Sequence, residues 1–130
     1  IAEEWYETGK LHSQIVEAAN KMADPGSDVV IDSSAAGLRA EFRDAGYHVR
    51  SSRGRVLDGI NKVGELLEGD ERGPRLTVDP GCIRTISEFE SYVWKDDRDE
   101  PVKEFDHSMD CTRYLVQSKP VRREAIQSRW

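Results

Sequence analysis

The sequence predicts an α/β layer fold, and three observations carry that expectation. Short β-branched or aromatic runs alternate with amphipathic helical stripes along the chain. Val29-Val30-Ile31 is apolar without alternation, which suits a central parallel strand covered on both faces. The stripe after it leads to a second strand-like run ending at Arg50, so this region reads as a β-α-β unit. A length of 130 residues fits one domain, able to bury about two thirds of its unfolded surface.

Ile1 to Tyr6 is a weak strand candidate, favoured by Trp5 and Tyr6. The chain opens inside that candidate, so the sequence is expected to be a fragment of a longer protein. Leu11, Ile15, Ala18 and Met22 then recur as the stripe of an amphipathic helix. Asp24-Pro25-Gly26-Ser27 is a turn. Beyond the Val29 to Ile31 strand, Asp32 stands at the strand end. Ser33 and Ser34 open a helix with Ala35, Leu38, Phe42 and Ala45 on one face, closed by Gly46. Tyr47 to Arg50 is the next strand.

Ser51-Ser52-Arg53-Gly54-Arg55 is a basic loop. It leads to a helix with Val56, Ile60, Val63 and Leu67 inward, ended near Gly69. A charged turn to Gly73 follows, and Arg75 to Val78 reads as a short strand. Asp79-Pro80-Gly81 opens a helix whose inner face is Cys82, Ile86, Phe89 and Val93. Lys95 to Glu100 is a charged loop stopped by Pro101. The last helix starts in Asp106-His107-Ser108-Met109-Asp110 and runs to about Ser118. The segment from 119 to 130 is a basic tail carrying Arg122, Arg123 and Arg129, expected to be poorly ordered.

Charged residues make up 34% of the chain and hydrophobic ones 37%, a balance suited to a globular domain rather than a membrane protein. No apolar run approaches the length of a membrane span, and no charged-then-apolar signal segment opens the chain. The formal net charge of −6 argues against a highly basic nucleic-acid binder, but not against a nuclease, whose metal site concentrates carboxylates. Cys82 and Cys111 form neither a disulfide framework nor a zinc spacing. Cys82 falls on an apolar helical face, as a core thiol in a reducing compartment would.

The chemistry concentrates between Asp106 and Tyr114. Helical spacing puts Asp106, Asp110 and Arg113 on one face with His107 beside them. Met109, Leu115 and Val116 are left to face a core. Carboxylates at this spacing, joined by one from elsewhere, can hold a hard divalent cation. The competing assignment makes Asp106 a helix N-cap and pairs Asp110 with Arg113. Asp32 has the same ambiguity. It sits where α/β sheets form their sites, beyond the carboxyl end of a parallel strand, yet an acid there also suits a helix N-cap.

Several stretches, taken in order, resemble one family. Val29-Val30-Ile31-Asp32-Ser33-Ser34-Ala35-Ala36-Gly37 and its continuation to Gly46 resemble the strand, acid and helix of the nuclease domain in phage large terminase subunits. Val56 to Val63 resembles the next helix of that domain, and Glu88 to Lys95 its stretch before a variable loop. Pro101 to Tyr114, with Asp-His-x-x-Asp-x-x-Arg-Tyr at its end, resembles the closing signature. The resemblance covers residues 1 to 118.

It implies a ribonuclease-H-like mixed sheet flanked by helices, with residues 1–118 as a partial nuclease domain lacking the first strands. It implies a metal-dependent endonuclease that cuts concatemeric viral DNA during packaging. Asp32 matches the second of the family's three acids, Asp110 the third, and His107 a histidine that often precedes the third. Asp106 is expected to be an accessory acid of the metal site, beside Asp32 and Asp110. The first acid and the ATPase half have no counterpart, since no G-x-x-x-x-G-K-[ST] motif occurs. The implied cofactors are two Mg²⁺ or Mn²⁺ ions. The implied partners are double-stranded DNA, a portal protein, a small terminase subunit and the ATPase domain, in the cytoplasm of an infected or lysogenic bacterium. Two metals can activate a water and stabilise the leaving oxygen of a phosphodiester. His107 would position water or shuttle a proton. Arg50, Arg53, Arg55 and Lys62 are candidates for the DNA backbone, or else a solvated face. Two rivals stand beside this expectation: a non-catalytic DNA-binding or portal-docking module, and a resolvase or transposase of the same fold.

Overall fold

The computed structural model describes residues 1–91 and 106–118. Val93, the loop after Lys95 and the basic tail lie outside the described residues. The elements in order are α1 (His12–Met22), β1 (Asp28–Ile31), α2 (Ala36–Asp44), β2 (His48–Ser51), α3 (Val56–Glu68), α4 (Ile83–Ser91) and α5 (His107–Ser118). The described part is therefore α/β, with helices around a small parallel sheet.

β1 and β2 pair in parallel, Asp28 opposite His48 through Ile31 opposite Ser51. α2 makes the crossover, as the β-α-β reading expects. One apolar cluster joins α1, β1 and α2 through Val16, Ile31, Phe42 and Tyr47, the residue before β2, and Val49 of β2 packs against it. Ala35, Leu38 and Ala45 pack against it, so the inner face of α2 is the expected one. Phe42 and Tyr47 meet edge to face at 5.2 Å, and the Tyr47 hydroxyl donates to Asn20 Oδ1 on α1 at 2.6 Å. A second cluster centres on Val63, Leu66 and Val116, with Leu67, Leu76 and Phe89 around it. It ties α3, α4 and α5 together.

α1 turns a different face inward than the stripe suggests. Leu11 is 68% exposed and Met22 42%, while Val16 is buried and Ile15 and Ala19 pack beside it. The helix begins at His12, so Leu11 precedes it and cannot contribute a helical face. Leu115 on α5 is also exposed rather than in the core, and Met109, Thr112, Arg113 and Val116 form the inner face.

Two expected strands are absent. Residues 1–6 form no strand, and residues 75–78 form none either. The two stretches nevertheless meet. The Ile1 amino group donates to the Thr77 carbonyl, and the Asp79 N–H donates to the Ile1 carbonyl at 2.8 Å. This is one rung of parallel pairing, too short to continue as a ladder. The N–H groups of Arg75 and Leu76 are instead taken by the Leu66 carbonyl at the end of α3.

Gly69 ends α3 with φ +77, and a Cβ there would lie 2.1 Å from the Gly73 carbonyl oxygen. The stop expected near Gly69 thus has a steric reason as well as a conformational one.

Candidate functional site

β1 ends at Ile31, and the next residue, Asp32, leaves the carboxyl end of the sheet. Its Oδ1 accepts the Ser34 N–H at 2.8 Å and the Ser34 hydroxyl at 2.7 Å. The N-cap position of α2 belongs to Ala35, so Asp32 holds the turn before the helix and does not cap it. Its Oδ2 accepts the Tyr114 hydroxyl at 3.0 Å, which brings α5 against the end of β1. The Ser34 hydrogen bonds first, and the Tyr114 bond after them, hold the Asp32 carboxyl below the ordinary carboxylate range.

Tyr114 is the hinge of this arrangement. Burial, the bond to Asp32 and the nearby Asp110 charge push its hydroxyl up to about 12. The phenol is therefore a fixed donor at neutral pH and no base. One turn before it on α5, Asp110 Oδ1 accepts from Arg113 Nη2 at 2.9 Å. The Arg113 side chain is only 7% exposed and that of Asp110 21%, so this ion pair is largely out of water. Arg113 also donates to Gln117 Oε1 at 3.3 Å and stacks 4.6 Å over the Tyr114 ring. Asp32, Asp110, Arg113 and Tyr114 thus form one connected cluster. The sequence places the two acids 78 residues apart. The structure links both to Tyr114, Asp32 by a hydrogen bond and Asp110 through Arg113.

The basic loop borders this cluster. The Ser33 N–H donates to Ser52 Oγ at 3.0 Å, and the Ser52 N–H to the Ile31 carbonyl at 2.9 Å. The Gln117 amide donates to the Arg55 carbonyl at 2.9 Å. Arg53 and Arg55 are exposed there. Arg50 on β2 lies 3.4 Å from Asp28, and Lys62 is half-buried on α3.

The start of α5 is served by an acid that the sequence does not mark. Asp106 precedes the first helical residue and is buried, with its carbonyl accepting the Asp110 N–H. Two amides of the first turn go to an acid on another helix. Glu88 on α4 is buried, and its Oε2 accepts the N–H groups of Ser108 at 2.6 Å and Met109 at 3.1 Å. Its Oε1 accepts the Tyr6 hydroxyl at 3.0 Å. Glu4 serves α4 in the same way, taking the N–H groups of Arg84 and Thr85 at 2.8 Å each. An acid from outside each helix thus answers its positive end. Glu4 and Glu88 carry no local capping signal, because each acts on amides distant in sequence.

His107 is exposed, its ring 6.2 Å from that of Tyr6, on the wall of a groove of about 580 Å³ between residues 1–9 and α5. Among the described residues, no three His, Cys, Asp or Glu side chains gather as a metal-holding group. Asp32, Asp106 and Asp110 are therefore not assembled as one three-ligand set. Cys82 is buried and Cys111 exposed, both unpaired.

No protein-family model matches the chain, and no characterised protein or solved structure matches it.

Proposed function

We propose that this chain is part of a metal-dependent DNA endonuclease of ribonuclease-H-like type, from the packaging terminase of a tailed phage. The observation that carries the reading is one connected cluster: Asp32, at the carboxyl end of β1, bonds Tyr114, and Asp110, on α5, pairs with the Arg113 that covers the Tyr114 ring. Their all-oxygen donors suit Mg²⁺ or Mn²⁺. Bound ions would supply water activation and stabilisation of charge on the phosphodiester. Two carboxylates, one of them paired with Arg113, are a sparse set for two ions. The reading therefore calls for a further acid outside the described residues.

The chain's own side chains have defined tasks in this scheme. Ser34 and Tyr114 fix the Asp32 carboxylate and keep it ionised. Arg113 orients Asp110. Arg53 and Arg55, exposed beside the cluster, together with Arg50 and Lys62, would take the DNA backbone as sequence-independent phosphate contacts. Asp106 and His107, at the start of α5, stand as accessory groups. Portal, small subunit and ATPase domain are the partners this role requires.

A second reading also has a specific observation behind it. Asp32 and Asp110 already make the interactions that a purely structural turn residue and ion-pair partner would make. A DNA-binding or portal-docking module of the packaging motor would need no more. Mn²⁺ separates the two readings, because a ligand that binds only the folded state raises its melting temperature. Under the nuclease reading, Mn²⁺ raises the melting temperature of the full chain with saturation, and Asp32→Asn removes most of the rise. Plasmid nicking should be weak from residues 1–130 and strong once an upstream acidic strand is added. A melting temperature indifferent to Mn²⁺ in both proteins would favour the docking module.

A further inference from the structure

Apart from His107 on its wall, the groove between residues 1–9 and α5 plays no part in the function proposed above. Its walls are largely apolar, with Trp5, Leu76, Leu115 and Val116 among the lining residues. Trp5 is 41% exposed and Leu115 47%, an apolar pair left open to water. Its rim is acidic. Glu3, Glu4 and Glu7 line it, and Glu4 is committed to the amides of α4. Glu3 and Glu7 remain as exposed carboxylates. Whatever fills this groove should carry positive charge and at least one large apolar side chain.

The chain itself contains such a segment. Residues 119–130, outside the described part, hold Lys119, Arg122, Arg123 and Arg129 against one acid, Glu124, with Val121, Ile126 and Trp130 interspersed. The segment leaves α5 at Ser118, directly after the turn whose Leu115 and Val116 form the groove wall. Twelve residues can span up to about 40 Å when extended. α5, also 12 residues, is only about 18 Å long, so the segment is long enough to run back along its outer face. We propose that this groove is the docking site of the chain's own residues 119–130, with arginines on the Glu3 and Glu7 rim and an apolar side chain between Trp5 and Leu115.

The structure supplies its own probe. Cys111 is exposed on the groove wall, whereas Cys82 is buried. Ile126→Cys in the full chain should form a disulfide with Cys111 under mild oxidation at alkaline pH. Trapping should run about tenfold or more faster than for a control, Glu17→Cys on the exposed side of α1, because tethered docking raises the effective concentration. Added salt should slow it, as should the double variant Glu3→Lys and Glu7→Lys, which alters only exposed side chains. Peptide mapping identifies the bond, and a rate independent of protein concentration marks it as intramolecular. Trapping no faster than the control would overturn the proposal, and so would insensitivity to both salt and rim charge. Dimers that form in proportion to concentration would assign the groove to a second copy instead. None of these outcomes depends on metal binding at Asp32.

Discussion

Arg113 carries more structure than its place in the sequence suggests. It pairs with Asp110, donates to Gln117 and covers the Tyr114 ring, all while nearly excluded from solvent. At i,i+3 spacing the pair looks like an ordinary surface contact, worth well under about 1 kcal/mol. Burial changes the sign of the comparison that matters. Removing the Asp110 charge strands a guanidinium in a poorly solvated site, and such losses cost roughly 3–5 kcal/mol when both partners are fully buried. Asp110 keeps some exposure, so Asp110→Asn should cost roughly 2–4 kcal/mol without metal, read from the urea midpoint. A loss below about 0.5 kcal/mol would show that the guanidinium finds water or another acceptor easily. Stability and catalysis are therefore entangled at this residue, and Asp32→Asn is the cleaner functional variant. Asp32 also has its neighbours Ser34 and Tyr114 within reach of solvent, so its loss strands no buried charge.

At the level of elements, α3 and α5 are held in register by a missing side chain. A Cβ on Gly59 would lie 2.2 Å from Arg113 Cγ and 2.7 Å from Gln117 Cδ. The stem of Arg113 thus crosses α3 where α3 has no side chain. Gly64, in the same helix, has nothing within 4 Å of the same position. Alanine is favoured over glycine inside a helix by about 1 kcal/mol, so Gly64→Ala should stabilise by roughly 0.5–1 kcal/mol. Gly59→Ala gains the same propensity but must displace an anchored arginine. Overpacking of that kind costs roughly 1–3 kcal/mol, and the net change should be destabilising. Thermal unfolding of the two variants tests this, and a Gly59→Ala protein as stable as Gly64→Ala would refute the crossing.

The same scale shows what the sequence could disclose. α2, α3 and the β1–β2 pair follow from local periodicity and stop signals such as Gly46 and Gly69, because those elements depend on neighbours close in the chain. The α1 stripe misleads because periodicity runs past the helix start and counts Leu11. The strand expected at Arg75 to Val78 fails because propensity does not supply a partner, and Ile1 offers only one rung. Asp32 and Asp110 were legible as candidates from strand end and helix spacing. Their meeting at Tyr114 was not, nor were the helix-end acids Glu4 and Glu88, since each of these contacts joins residues 20 or more apart.

Across the whole molecule, these contacts should set how stability depends on pH. Asp32 and Glu4 are both held below their ordinary values. For Asp32 the Ser34 bonds act first. For Glu4, burial pulls upward but the bonds from Arg84 and Thr85 outweigh it. A depressed carboxyl binds fewer protons folded than unfolded, so stability rises with pH across its range. That contribution is complete above the unfolded value near 4 and disappears as pH falls through the lower folded values. Tyr114 has the opposite sign. Its folded value of about 12 exceeds the unfolded one near 10, so its contribution is complete below about pH 10 and is lost as pH rises toward 12. The Cys82 thiol, raised first by burial and next by the Glu4 charge, starts the alkaline decline earlier, from about pH 8.5. Melting temperature should therefore form a plateau from about pH 5 to 8 and fall on both sides, with the acid limb set by carboxylates at two helix entries. The Glu4→Gln and Asp32→Asn proteins should each melt lower on the plateau but lose less between pH 5 and 3 than the parent. Tyr114→Phe should flatten the limb above pH 10 and also return Asp32 toward its ordinary value, because the phenol no longer donates to it. An acid limb that stays the same in both carboxyl variants would mean that other groups govern acid unfolding, and that the hydrogen bonds at Asp32 and Glu4 contribute little to holding the fold.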